Sequence, residues 1–198
     1  LGSLQRSGVG IAGGGLDEPN RPCDQESRPG RFNPWTATPH KGFASYESRE
    51  VDHIPGGNCS AWRQVLSDVG GFDESFGAGA SLYEETDFCL RARLLGYRVW
   101  FDGEARLTHL AAPEGGCRVD QVEAYVRSLA HNRSMMIRRH VHRYRWPFAF
   151  SALLRLSAAY AVHYRKPAAL LSALAACARG LKQGSAAPVC TRFERVAG

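Results

Sequence analysis

Between Ala124 and Phe193 this chain has no Asp or Glu, while Arg and Lys recur twelve times. Nearly all the acids lie before that stretch. Such asymmetry between halves points to an anionic partner for the basic half: a membrane surface, nucleic acid or a phosphorylated substrate. Uninterrupted apolar runs of about 18 to 20 residues are also missing, so no segment reads as a convincing transmembrane span. The six cysteines, Cys23, Cys59, Cys89, Cys117, Cys177 and Cys190, form no Cys-x-x-Cys pair and none has zinc-ligand spacing with a histidine. They read as reduced thiols of a cytosolic protein, mostly packing as small hydrophobes. The glycine-rich GVGIAGGG lacks the Lys-Ser/Thr ending of a phosphate loop and leads into no clear helix, which assigns it no nucleotide role. The first residues, LGSLQRSGVGIAGGG, lack the basic and long apolar regions of a signal peptide.

What is there suits one domain, or one domain with an appendage: 198 residues, 44% apolar, net charge +6. Residues 8–16 read as a short buried strand running into a glycine-rich turn. Residues 17–50, rich in Pro, Arg, Asn, Ser and acids, read as a long surface loop with a short strand near its end. VDHIP, residues 51–55, alternates weakly and predicts a strand. Residues 60–69 predict a helix capped by Ser60, with Trp62, Val65, Leu66 and Val69 as its apolar stripe and Gly70-Gly71 as its stop. Residues 84–95 predict a second helix ended by Gly96, with Asp87 and Arg91 paired four apart on its exposed side. YRVWFD and ARLTHL alternate like two strands separated by a turn at Gly103. A helix is predicted from Val119 to about His140. Pro147 and Pro167 then open two apolar helices that form a hairpin, packed on the domain or lying in a membrane interface.

Several residues carry a bland and a chemical reading at once. Glu84, Glu85 and Asp87 complement the dipole of a first helical turn, worth about 0.3–1 kcal/mol each. Alternatively, adjacent carboxylates resist ionisation, and one of them acts as a general base. His109, ending an apolar strand, is a satisfied edge residue, or a metal ligand or donor to a departing phosphate. Gly56, Gly57 and Asn58 make a tight turn, or let the backbone approach a sugar closely. Trp62 packs, and Arg63 is a surface residue or reaches an anionic group. The basic run from Arg133 to Arg145 is a solvated helix face or a contact for anionic lipid or polyphosphate. No nucleic-acid motif accompanies it.

In chain order, these elements resemble the acceptor-side half of a family-2 glycosyltransferase of the GT-A fold. The resemblance is carried by Gly57, Asn58 and Arg63; Gly70 to Glu74 and Phe76; Glu84, Glu85 and Asp87; Arg91 and Arg93; Gly96 to Val99; and His109. It covers residues 54–110 closely and extends more weakly to HNRSMMIRRH and ARGLKQG. It implies an α/β fold: a partial GT-A (Rossmann-like) sheet with flanking helices in residues 1–118, a basic helical region with a hairpin in 119–183, and a tail in 184–198. It further implies inverting transfer of a sugar from a nucleotide-sugar donor to a glycan or lipid-linked acceptor hydroxyl. Glu85 is then the general base, with Glu84 its rival. Gly57, Asn58, Arg63 and Asp87 are substrate-binding residues, and His109 sits by a divalent cation, Mg or Mn. An anionic membrane surface is the expected partner and nucleic acid is not, which places the protein in the cytoplasm, peripheral to the inner face of the membrane. The family's Asp-x-Asp is absent, so the expectation is a portion that does not turn over without a nucleotide-binding half. The rival reading is a non-catalytic, membrane-associated interaction module.

Overall fold

The computed structural model describes residues 2–18, 28–77, 79–110, 121–186 and 188. Its centre is a four-stranded mixed sheet in the order β4-β6-β1-β5, built from β1 (Val9–Asp17), β4 (Arg49–Glu50), β5 (Cys59–Ala61) and β6 (Arg98–Thr108). β1 and β6 run parallel, while β5 and β4 join their outer edges antiparallel. A separate hairpin pairs β2 (Arg31–Asn33) with β3 (Thr38–His40). Five α-helices complete the described residues: α1 (Arg63–Val69), α2 (Glu84–Leu94), α3 (Val122–His140), α4 (Trp146–His163) and α5 (Ala168–Gln183). The chain is therefore mixed α/β.

Two apolar cores follow. Ile11, Val99 and Phe101 on one face of the sheet bury against Ile54, Val65 of α1 and Phe88 of α2. A second core, with Val126, Leu129, Leu153, Ala169, Ala173 and Ala176, joins α3, α4 and α5. The α4–α5 hairpin thus packs on α3, as its apolar stripes require. No helix among the described residues is long and apolar enough to cross a membrane.

Several predicted boundaries are corrected. The glycine-rich "turn" after residue 8 is β1 itself, which continues to Asp17. A Cβ on Gly13 or Gly14 would collide with Ile54 or with the Ala105 carbonyl, so the glycines let the 54–58 segment and a bulge of β6 close on the strand. Residues 51–55 form no strand. Val51 bonds to the Val99 carbonyl, and the Asp52 and His53 amides both reach the Gly30 carbonyl, so this buried segment satisfies its backbone without a ladder. Ser60 caps no helix: Cys59–Ala61 pairs with Ile11–Gly13, and α1 starts later, with Trp62 at its cap and no side-chain cap bond. Gly70 does end α1, in the left-handed conformation. The two strands expected around Gly103 are one, because Gly103 has no side chain to strike the Tyr46 backbone and the ladder passes through. The 17–50 stretch holds β2, β3 and β4; its residues 19–27 lie outside the described ones. So do Cys23, Cys117 and Cys190, whereas Cys59, Cys89 and Cys177 are free thiols, Cys89 fully buried.

Candidate functional site

The most unusual chemistry lies at the start of α2. Tyr83 precedes the helix with φ 75°, in the left-handed region, and no side chain caps the first turn. A bulky residue rarely adopts that conformation, and here it turns the chain abruptly into the helix. Glu84 and Glu85 follow. Burial opposes the charged form of each carboxyl, and their own backbone amides favour it less strongly. The two carboxyls stand close enough to act on each other, which lowers the proton affinity of Glu84 and raises that of Glu85. The Glu84 Oε2 atom is buried with no hydrogen-bond partner.

Burial first, and then the neighbouring Glu84 charge, push the Glu85 carboxyl up to about 7, while the Lys41 ammonium opposes them. Burial raises Glu84 as well. Both side chains keep a partly open surface. A group titrating near neutrality and reachable from solvent is what proton transfer at physiological pH requires. Glu85 lies along the turn after Pro55: a Cβ built on Gly56 would stand 3.7 Å from its Cδ. The half-buried Cys59 thiol is pushed up to about 11, by burial and then by the Glu85 charge.

One helical half-turn further on, Asp87 is fully buried. Its carboxylate meets Arg91 Nε at 2.7 Å, His140 Nε2 at 2.8 Å and Arg139 Nη1 at 3.3 Å. Burial raises its carboxyl, but His140, Arg91 and Arg139 outweigh that and hold it at about 2. The predicted Asp87–Arg91 pair therefore forms, but inside the molecule, because α3 covers that side of α2. Arg139 also bonds Asp73 at 2.6 Å, and Arg91 donates to the Val69 and Gly71 carbonyls at 2.7 and 2.8 Å. The GGFDE segment, α2 and α3 are thus locked by one ionic cluster. Asn132 extends the lock, its amide reaching the carbonyls of Phe76, Ala80 and Leu82. Arg133 ties the β2–β3 hairpin to α3 through the Thr36 carbonyl and the Thr38 hydroxyl. Arg93 pairs with Asp52.

The other predicted site residues fall at different distances from this chemistry. Asn58 donates to the Gly15 and Ala105 carbonyls at 3.1 and 2.7 Å, stitching the bulge between β1 and β6. Gly57 is exposed, with nothing within 4 Å of where its Cβ would be. Arg63 opens α1, exposed to solvent. His109 sits just past β6, half-exposed, with Nδ1 3.2 Å from Glu18 Oε1. Neither Arg63 nor His109 bonds to the acidic pair among the described residues. Nor does any group of three His, Cys, Asp or Glu among them suit a metal ion. The structure therefore brings together Glu84, Glu85 and Gly56, sets Cys59 and, at longer range, Lys41 under the influence of that pair, and leaves Asp87 engaged behind it. Lys41 carried no sequence signal. Arg139 and His140 lay in the weaker part of the resemblance, where their spacing alone named no partner. No family model matches this chain, and no curated protein matches it.

Proposed function

We propose that the chain is the acceptor-side portion of an inverting, GT-A-type glycosyltransferase. It moves a sugar from a nucleoside-diphosphate donor to a hydroxyl of a glycan or lipid-linked acceptor. The single observation that supports this most is the Glu84–Glu85 carboxyl pair at the tip of α2, packed along the Gly56 turn, with Glu85 able to change protonation near neutral pH.

In this reading the Glu85 carboxylate takes the proton from the acceptor hydroxyl. The freed oxygen attacks the anomeric carbon on the face opposite the nucleoside diphosphate, whose bond to that carbon breaks. Burial first, and then the adjacent Glu84 charge, raise the proton affinity of Glu85. Gly56 and Gly57 leave room for a sugar ring against the backbone. Asn58 holds the sheet edge behind that turn, and exposed Arg63 is available to an anionic group of substrate. Asp87 serves indirectly: Arg91, Arg139 and His140 fix it, so it positions α2 rather than touching substrate. A divalent cation bound here would stabilise the leaving diphosphate as a Lewis acid. His109 with Glu18 supplies two donors for it, and further donors would have to come from outside the described residues. A cytoplasmic, membrane-peripheral location belongs to the same reading.

The test uses the longest product of the reading frame that encodes these residues, assayed for transfer from a panel of nucleoside-diphosphate sugars. Glu85→Gln is expected to lower turnover about 10²–10⁴-fold, the range for loss of a general base, while donor binding by calorimetry is kept. Unchanged turnover in that variant removes Glu85 from the role.

A further inference from the structure

We propose that the corner where α4 begins docks on an anionic lipid surface, with Trp35, Tyr144 and Phe148 entering the headgroup boundary and the arginines among them meeting lipid phosphates. These three rings are 45%, 55% and 57% exposed. They nevertheless pack together: Trp35 lies edge-on to Tyr144 and Phe148, with centroids 6.0 and 5.3 Å away. An assembled aromatic patch left open to water marks a binding surface. The Arg145 guanidinium stacks 4.8 Å from the Trp35 ring and 5.0 Å from Tyr144. Arg138 and Arg143 lie at 5.5 and 5.9 Å from Trp146 beside them. Amphipathic rings interleaved with long cationic side chains suit a headgroup layer, where one end of each is apolar and the other wet.

The patch continues along α4. Phe148, Arg155 and Val162 are exposed and seven residues apart, so they line one stripe of the helix. Arg155 sits mid-helix, and no described helix can cross a membrane, so α4 lies along a surface rather than through it. The charge pattern decides the occupant. With no acid from Ala124 to Phe193, a second copy of this chain would press like charge against like. A nucleic acid would satisfy the arginines but set Phe148 and Val162 against phosphates. An anionic bilayer meets both groups.

The hairpin gives the surface a purpose, which rests on the glycosyltransferase reading. Trp35 lies at the tip between β2 and β3, and Lys41, which acts on Glu85, follows β3. Six residues of chain reach at most about 20 Å. A lipid-linked acceptor held at the tip would therefore sit on the same hairpin that leads to Lys41, whose charge acts on Glu85.

The experiment is co-sedimentation of the 198-residue chain with phosphatidylcholine vesicles, with and without phosphatidylglycerol, at low and high salt. Binding is expected only to the anionic vesicles and is expected to weaken with salt. Arg143→Gln with Arg155→Gln should lower the partition about 30-fold, at about 1 kcal/mol per basic residue. Tyr144→Ser with Phe148→Ser should weaken it while leaving the salt dependence intact. All four positions are exposed, and circular dichroism melts check that the variants fold. If a variant fails that check, quenching of the wild-type tryptophan emission by brominated acyl chains reads the same contact. The proposal is overturned by equal partition of wild type and variants, by absent quenching, by tighter binding to DNA than to vesicles, or by a dimer that Phe148→Ser dissociates. Vesicle partition does not depend on turnover, so failure here leaves the sugar-transfer reading standing, and the reverse also holds.

Discussion

Glu85 and Asp87 stand two residues apart at the start of one helix, and the fold drives them in opposite directions. Both lose water. Glu85 receives in exchange a second carboxyl, its own amide and a distant lysine, and rises to about 7. Asp87 receives two arginines and a histidine, and falls to about 2. The difference lies in what α3 delivers. Its last turn places Arg139 and His140 over Asp87 and sends no cation to the helix tip. Desolvation without compensation leaves a group that can trade protons, whereas desolvation with compensation makes a clamp. The pair thus separates the mobile chemistry of the site from the rigid frame that carries it.

Breaking the clamp should have the largest effect. Asp87→Asn removes the one anion shared by Arg91, Arg139 and His140, all of whose side chains are nearly buried. Removing one member of such a buried cluster costs about 3–5 kcal/mol, toward the lower end here because Arg139 keeps Asp73 and Arg91 keeps two carbonyls. Urea unfolding should show that loss at neutral pH. Asp87→Asn should also flatten the acid limb of the stability curve. The wild-type contribution is full above the ordinary Asp value of 3.8 and is lost as pH falls toward about 2, because the native carboxyl stays ionised longer than the unfolded one. A variant as stable as wild type would show that the cluster satisfies itself without the carboxylate.

Glu85 should produce the opposite slope. Its unfolded value is near 4.5 and its folded value about 7, so between those limits the native chain binds more protons than the unfolded chain. Stability contributed by the neutral carboxyl is therefore present below about pH 4.5 and is lost as pH rises through 7. The span corresponds to roughly 3 kcal/mol. Glu85→Gln, which cannot ionise, should remove that decline and make the protein more stable at pH 8 than wild type. Guanidinium unfolding from pH 4 to 8 checks both. A wild-type curve without the decline would place Glu85 in ordinary solvent.

How far the sequence reveals this contrast depends on the range of the interactions. The α2 acids, the stop of α1 at Gly70 and the prolines opening the last two helices are local signals, written in neighbouring residues, and the fold keeps them. The fates of Glu85 and Asp87 are not local. Asp87 depends on Arg139 and His140, 52 and 53 positions downstream, and Glu85 on burial by distant parts of the chain added to its neighbour Glu84, surroundings that spacing cannot name. The same holds for Ser60, whose cap chemistry favours a helix start until β1 claims it as a strand partner. It holds for VDHIP, whose alternation marks no sheet face, because all five residues are buried and the backbone is satisfied by Gly30 and Val99. The glycines of β1 read as a turn because their reason, the close approach of residues 54–58 and 105, lies elsewhere in the chain.

The smallest expected effect is also the sharpest probe of the helix tip. Gly56 has no left-handed φ, and a Cβ there would meet Glu85 only at ordinary contact distances of 3.7–3.8 Å. Gly56→Ala should therefore fit. Restricting the unfolded chain should stabilise the protein by about 0.4–1 kcal/mol. The added methyl also displaces water from the carboxyl, so the Glu85 titration, followed by carboxyl-carbon NMR, should move further up. Gly57→Ala supplies the control. Nothing lies within 4 Å of its Cβ position, so it should give the entropic gain without moving that titration. If both substitutions move it equally, turn rigidity sets the Glu85 proton affinity. If only Gly56→Ala does, the exclusion of water at the tip of α2 sets it, and a sugar ring laid against the same turn would act in the same sense.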